Sequence, residues 1–421
     1  MIDKQQTTIR RSVRTTGGKR TMRRSLNGMV VLWAVMVLLV AACANTTATT
    51  TAAVTTTSAA ATTTTEGATT TAGPTTTAAA EGSLVGICPD PLVVQTDWFI
   101  EPEHGYTYQM IGPDGTIDAA NGVYSGPLGD TGITLEIRQG GPFIDFASPI
   151  AQMYQDDDIF MGYADTADVT ANFGNLPAVH VFAPLDIGPQ ILMWDPAVNQ
   201  FDSFEDIRDS GIPVLYFEGG KYMDFLIHEG LLSPDQIDAS YDGSPTRFVT
   251  EVVVQQGFAT NEVYRYENDI QEWLKPVDFI LTHDSGFEIY QSAMSVKLDR
   301  LEANRDCLAG VVPLMQQALV NYISNPKPIN DMMGRMVTEM ATFWTLSEGG
   351  TADAVDKMKS LNMVSNVDNG TIGDMDAARI QALIDKINPI FLEQGLEGYV
   401  EGLTADQIAT NDFLDPGIGL P

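Results

Sequence analysis

The chain has 421 residues, 44% of them hydrophobic and 19% charged, and its 23 basic residues stand against 55 acidic ones for a formal net charge of -32. Phosphate affinity needs clustered Lys and Arg, so this balance excludes nucleic-acid binding. The acidity describes a solvated surface and says little about fold.

The first 42 residues read as an address. Eight basic residues between Lys4 and Arg24 precede an unbroken apolar run, Met29 to Val40, and then Ala41-Ala42-Cys43. A basic region, a short apolar region and small residues before a cleavage point make a secretory signal peptide over 1–42. Val40-Ala41-Ala42-Cys43 resembles the bacterial lipobox, which implies that Cys43 is acylated and becomes the new N-terminus. Asn45 to Ala80 is almost only Thr and Ala. It has too little apolar bulk to offset chain entropy, so 43–81 is predicted to be a disordered, lipid-anchored tether. Fully extended it reaches on the order of 100 Å. Removing 1–42 takes away eight basic residues and one acidic, leaving 15 basic against 54 acidic.

Of the three cysteines, Cys43, Cys88 and Cys307, lipidation of the first leaves the other two as a pair. In an oxidising compartment their default state is a disulfide, which would join the first folded residues to a segment more than two hundred residues later.

The remaining 340 or so residues are too many for one core and suit two α/β lobes. Strand-like apolar runs occur at Leu92 to Gln95, Ile133 to Ile137, Ile159 to Tyr163, Val179 to Phe182, Val214 to Phe217 and Val277 to Thr282, alternating with helix-like stretches. Such alternation predicts mostly parallel sheets flanked by helices. Gln139-Gly140-Gly141-Pro142 is expected to open a helix carrying Phe143, Phe146, Ile150 and Met153 on one face. Glu218-Gly219-Gly220-Lys221 does the same after "VLYF", with Tyr222, Phe225 and Leu226 behind it and Gly230 as the C-cap. Two glycine turns at predicted strand ends point to a cleft. Beyond Leu301 the pattern is helical, through "CLAGVVPLMQQALVNYI" and "MDAARIQALIDKINPIFLEQG".

Enzyme signatures are missing from the sequence. "THDSG", Thr282 to Gly286, sets His, Asp and Ser side by side, but a triad is assembled in space, not along an extended segment. There is no G-x-S-x-G, H-E-x-x-H or phosphate-loop motif. "NVDNGTIGDMD", Asn366 to Asp376, lacks the spacing and the final Glu of a calcium loop and reads as a turn before a helix N-cap at Asp374. The expectation is a protein with no enzymatic activity, no metal and no cofactor.

The stretches "QTDWFIEPEHGYTYQMIG", "IRQGGPFIDF", "DIFMGYADTADV", "FEDIRDSGIPVLYFEGG" and "VVVQQGFATNEVYRYE" together resemble the solute-binding proteins of ABC importers in the nitrate, sulfonate, bicarbonate and thiamine-pyrimidine group. The resemblance runs from Leu92 to about Ile323. It implies a two-lobed α/β fold of the type II periplasmic-binding-protein kind, hinged on two crossovers that close around one small molecule. Lobe 1 is expected over 82–185 and 286–421 and lobe 2 over 186–285, with the crossovers near Pro184 to Trp194 and Ala259 to Ser285. Cys88 and Cys307 then fall in one lobe, as their pairing requires.

The resemblance points to Trp98, Asp165 and the 259–262 segment, with Asn261 and Glu262, as ligand contacts. Position at predicted strand ends adds Glu103, His104, Tyr108, Asp145, Trp194, Glu218, Tyr222 and Tyr264. Aromatic rings that sandwich a plane, beside carboxylates that accept from N–H groups, favour a neutral or cationic heterocycle such as a pyrimidine vitamin precursor or a flavin. A nitrate, sulfonate or bicarbonate type anion would want cations, and Lys221 is the obvious one. His180, inside an apolar strand, reads as a core residue and His228 as a helix-surface residue. The implied partners are a small solute, an ABC permease and the membrane through the lipid anchor, with the receptor a monomer outside the cytoplasm. A cell-surface adhesion lipoprotein is the alternative that anchor and tether would serve equally. An intracellular branch of the fold that makes the thiamine pyrimidine expects a cofactor lysine and a cysteine-rich motif, neither of which fits an exported chain with this sequence.

Overall fold

The computed structural model describes residues 82–367 and 369–421. The expected signal peptide 1–42, the tether 43–81 and the lipidation site Cys43 lie outside the described residues. Twelve strands are described: β1 (Leu92–Gln95), β2 (Thr116–Asp118), β3 (Val123–Pro127), β4 (Thr134–Arg138), β5 (Ile159–Ala164), β6 (Ala178–Phe182), β7 (Gln190–Trp194), β8 (Val214–Leu215), β9 (Ile237–Asp238), β10 (Val254–Phe258), β11 (Asp278–Leu281) and β12 (Ala293–Lys297). They form two sheets, ordered β2-β3-β4-β1-β5-β12-β6 and β11-β7-β10-β8-β9.

The apolar runs behave as their composition demands. β1, β5 and β6 are buried along their whole length, as strands covered on both faces must be. β1 pairs in parallel with β4 and β5 at the centre of the first sheet, and β8 pairs in parallel with β10 and β9 in the second. The pairing is nevertheless mixed, not mostly parallel as predicted. β2, β3 and β4 form an antiparallel meander, and strands next to the crossovers, β7, β11 and β12, run against their neighbours.

The chain leaves the first sheet after β6 and enters the second at β7, within the predicted stretch. It returns between β11 and β12, over 282–292. That return overlaps the predicted Ala259 to Ser285 only at its end, because β11 is held in the second sheet by antiparallel pairing with β7. Arg379 ties the two crossings together. Its guanidinium donates to Asp186 Oδ1 at 2.8 Å and Asp186 O at 2.6 Å on the outgoing crossing, and to Glu288 O at 2.9 Å and Ile289 O at 3.0 Å on the return. It also lies 4.1 Å above the Tyr290 ring.

Cys88 and Cys307 form a disulfide with Cα atoms 4.9 Å apart. It fastens the segment before β1 to the helix Arg305–Ser324. That helix packs on the short helix Gly105–Gln109 at its first residue, where a Cβ on Gly105 would fall inside the Tyr322 ring. His180 is fully buried and bonded through Nδ1 to Ser295 Oγ at 2.8 Å, and burial pushes its pKa down to about 3. It is a neutral core histidine, while His228 is exposed on its helix.

Two local expectations are corrected. Pro142 does not open a helix: a single 3-10 turn, Gly141–Ile144, is followed by Asp145 and Phe146 in the left-handed region at φ 51 and 57. The helix proper, Pro149–Gln155, starts only after the Ser148 cap. The N-cap of the helix Ala377–Gln394 is Asp376, not Asp374; it accepts from Ala378 N–H at 2.7 Å.

Candidate ligand-binding cleft

A cleft of about 1080 Å3 opens between the two sheets. Its floor is made by the crossings, through Gln190 on one side and Phe287, Ile289, Gln291 and Ser292 on the other. Its walls are the loops that follow strands. On the first-sheet side the loop after β1 brings Asp97, Trp98 and Phe99 into the cleft. This loop is held by a close backbone approach at Gly140: Gly140 N–H donates to Thr96 Oγ1 at 2.9 Å and Trp98 O at 3.2 Å, and a Cβ there would collide with the Asp97 carbonyl. Only glycine fits the contact that sets the indole.

The aromatic groups form one continuous patch. Trp98 stands 5.4 Å from Phe146, 5.5 Å from Phe99 and, across the cleft, 6.2 Å from Phe217. Phe99 stacks on Trp344 at 4.9 Å with 8° between the planes, and Trp344 Nε1–H donates to Ile100 O at 2.8 Å. Phe217 meets Tyr241 at 6.4 Å. Phe146 and Phe217 are 51% and 41% exposed, large apolar rings left uncovered at the same opening. The two left-handed residues of the 145–146 turn are strained for L-amino acids, and the turn they make is what delivers Phe146 to the cleft.

The polar lining is mostly acidic. Asp97, Glu101, Asp165, Asp168, Glu218, Asp242 and Glu262 face Lys221 and Arg265. Lys221 is spent on an ion pair with Asp168, which reaches from one side of the cleft to the other. Among the described residues Arg265 makes no ion pair. Burial, reinforced by repulsion from Glu103, Asp97 and Glu262, pushes the Glu101 carboxyl well above its ordinary range. Burial also raises Glu262, against the Phe258 N–H it accepts at 2.7 Å. Burial raises Tyr222, whose hydroxyl donates to Gln256 Oε1 at 2.6 Å.

Asp165 caps the helix Thr166–Asn172, accepting the Asp168 N–H at 2.6 Å. Burial and then repulsion from Asp168 push its carboxyl up to about 7, against the pull of Lys221. A carboxyl raised in the folded state contributes stability that is fully present below its unfolded value and lost as pH rises through about 7. Asn is an equally good cap, so Asp165→Asn is expected to match the parent in thermal midpoint near pH 4 and to be more stable by roughly 1–3 kcal/mol at pH 8. A difference independent of pH would contradict this reading.

Six of the twelve predicted residues line the cleft: Trp98, Asp165, Glu218, Tyr222, Asn261 and Glu262. The other six do not. Glu103 is buried behind the wall and accepts the Thr260 hydroxyl. His104 is fully buried beneath Asp97 and Glu101. Tyr108 faces the core, where its hydroxyl accepts Gln139 Nε2 at 2.5 Å. Asp145 sits on the exposed turn beside Phe146. Trp194 ends β7 inside the core, 5.2 Å from Phe201. Tyr264 packs over Gly349 and Gly350. Phe146, Phe217, Tyr241, Trp344, Asp97, Glu101 and Arg265 were missed. In "THDSG" the Ser285 hydroxyl donates to Thr282 O at 2.5 Å within a 3-10 turn, so it is not paired with His283.

No protein-family model and no curated protein matches the sequence. Solved structures do. The periplasmic aliphatic sulphonate binding protein SsuA of Escherichia coli superposes with a TM-score of 0.51 at 13% identity, over 73% of this chain and 94% of that one. The alkanesulfonate-binding SsuA of Xanthomonas axonopodis pv. citri, bound to MOPS, gives 0.47 at 11% identity, over 77% and 99%. An ABC transporter protein of Parabacteroides distasonis gives 0.47 at 9% identity, over 75% and 98%. The fold is that of the periplasmic binding proteins.

Proposed function

We propose that this protein is an extracytoplasmic solute-binding receptor of an ABC importer, lipid-anchored through Cys43, which captures one small molecule between its lobes and delivers it to a permease. The observation that carries the reading is the cleft itself: aromatic side chains from both of its sides, Trp98 and Phe217, meet at an opening floored by the two crossings. A recess of this kind suits capture of a small molecule better than the flat surface an adhesion protein would use. The likeness in fold to the Escherichia coli protein supports the same role. The receptor acts as a monomer and performs no chemistry on its ligand.

The ligand we favour is a ring-bearing solute, neutral or cationic, such as a pyrimidine vitamin precursor or a flavin. Stacking area and an excess of carboxylates both suit it. A second reading, a sulfonate-type anion, is favoured by one observation, the half-buried Arg265 that lines the cleft without an ion pair among the described residues. A thermal-shift screen of the purified full chain against pyrimidines, flavins, small sulfonates and nitrate separates them. A ligand at a hundred times its dissociation constant adds about 2.7 kcal/mol. A heterocycle that raises the midpoint supports the first reading and a sulfonate the second; silence across the panel would count against a solute receptor for these classes.

A further inference from the structure

Beneath the aromatic patch, His104, Asp97 and Glu101 converge. His104 Nε2 is 2.9 Å from Asp97 Oδ1 and 3.4 Å from Glu101 Oε1, and the three donor atoms lie within 4.8 Å of one another. Two ligands bound at 2.0–2.1 Å to one tetrahedral ion stand about 3.3 Å apart, and the two distances from His104 Nε2 bracket that value. Both contacts are of ion-pair length, and neither has the geometry of a well-aligned hydrogen bond. Both ring nitrogens of His104 and Oδ1 of Asp97 are buried without a hydrogen-bond partner among the described residues, and His104 is 0% exposed. An imidazole nitrogen that approaches two carboxylate oxygens without the alignment of an N–H donor leaves these atoms free to share a cation.

Charge points the same way. Glu103 is also buried at this end of the cleft, and Glu262 faces Glu101 from the other side and repels it. Several carboxylates brought together with one imidazole cost free energy unless a proton or a cation compensates them. A set of one imidazole and two carboxylates suits a divalent transition-metal ion, and the imidazole argues against magnesium or calcium.

We propose that His104, Asp97 and Glu101 form a site for a divalent transition-metal ion of the zinc type. Asp97 and Glu101 line the cleft while His104 closes the site from below, so the coordination positions left by three protein ligands face the space where a solute binds. The ion would offset the local negative charge and offer a Lewis-acidic contact to an oxygen or nitrogen donor of the solute. This inference does not rest on the receptor reading, and its test measures metal alone.

The full chain, freed of metal with a chelator and dialysed, is titrated with zinc chloride by calorimetry at neutral pH. One equivalent per chain is expected. Binding at least tenfold weaker is expected in His104→Gln and in Glu101→Gln, and unchanged binding in His228→Gln, whose site is an exposed helix surface. Should the buried His104→Gln variant fail to fold, Glu101→Gln on the cleft wall carries the test. A second readout is the visible absorption of cobalt(II), present in the parent and lost in Glu101→Gln. Failure of the parent to bind a stoichiometric ion, or parent-like binding in the variants that fold, would overturn the proposal.

Discussion

Replacing Trp98 with alanine is expected to weaken binding of the cleft's ligand by at least about 30-fold, the loss of 2 kcal/mol or more that marks an aromatic anchor. The expectation rests on position. Trp98 touches rings on its own side, Phe99 and Phe146, and a ring on the other, Phe217. Truncation would therefore remove stacking area and break the patch that shields the cleft from water. The indole is only partly buried, so the fold survives its loss and circular dichroism should be that of the parent. The check is calorimetric titration of parent and variant with the compound that raises the thermal midpoint. A change smaller than threefold would show that the aromatic patch is not where the ligand sits.

Arg379→Ala is expected to lower the stability of the whole molecule by about 2–4 kcal/mol, read as a lower denaturant midpoint at unchanged slope. The arginine is 12% exposed and its four hydrogen bonds go to both crossings at once. Without it, three backbone carbonyls and Asp186 Oδ1 lose this donor, and among the described residues the carboxylate keeps only the Ser365 hydroxyl at 3.2 Å. The crossings are also the floor of the cleft, so ligand affinity should fall in the same variant by more than the distance from Arg379 to the aromatic patch would suggest. A midpoint within error of the parent would mean that solvent replaces the guanidinium at no cost.

The sequence carried the fold further than it carried the site, for reasons that particular residues make plain. Leu92 to Gln95 and Ile159 to Tyr163 are continuous apolar runs, as strands buried on both faces must be, and they lie inside the first sheet. The hairpin of β2 and β3 was invisible because "TID" and "VYSGP" are short, half-exposed and weakly patterned. Sheet pairing was misjudged because alternation of strand-like and helix-like segments says nothing about strands that cross between sheets and run back.

Within the site, Trp98 and the 218–222 turn were legible as loops that follow strands. Phe146 and Phe217 were not. Phe146 fits a helix face by spacing, and only two successive left-handed residues, a conformation the sequence does not announce, turn it outward. Phe217 ends an apolar run and so reads as core, but β8 stops at Leu215. Trp344 lies some 240 residues from the loop it covers, beyond the reach of any local pattern. Tyr108 and Trp194 erred the other way, because a residue near a strand end or on a first helix can face the core as easily as the cleft.

The measurement that most directly tests the central claim is amide hydrogen exchange of the full chain with and without a saturating amount of the first compound to raise the thermal midpoint. Capture between two lobes predicts that protection rises together in the loop after β1, around Thr96 to Glu101, and in the loops of the other side, around Phe217 to Tyr222 and Phe258 to Glu262. Protection confined to one side, or absent from both, would contradict it.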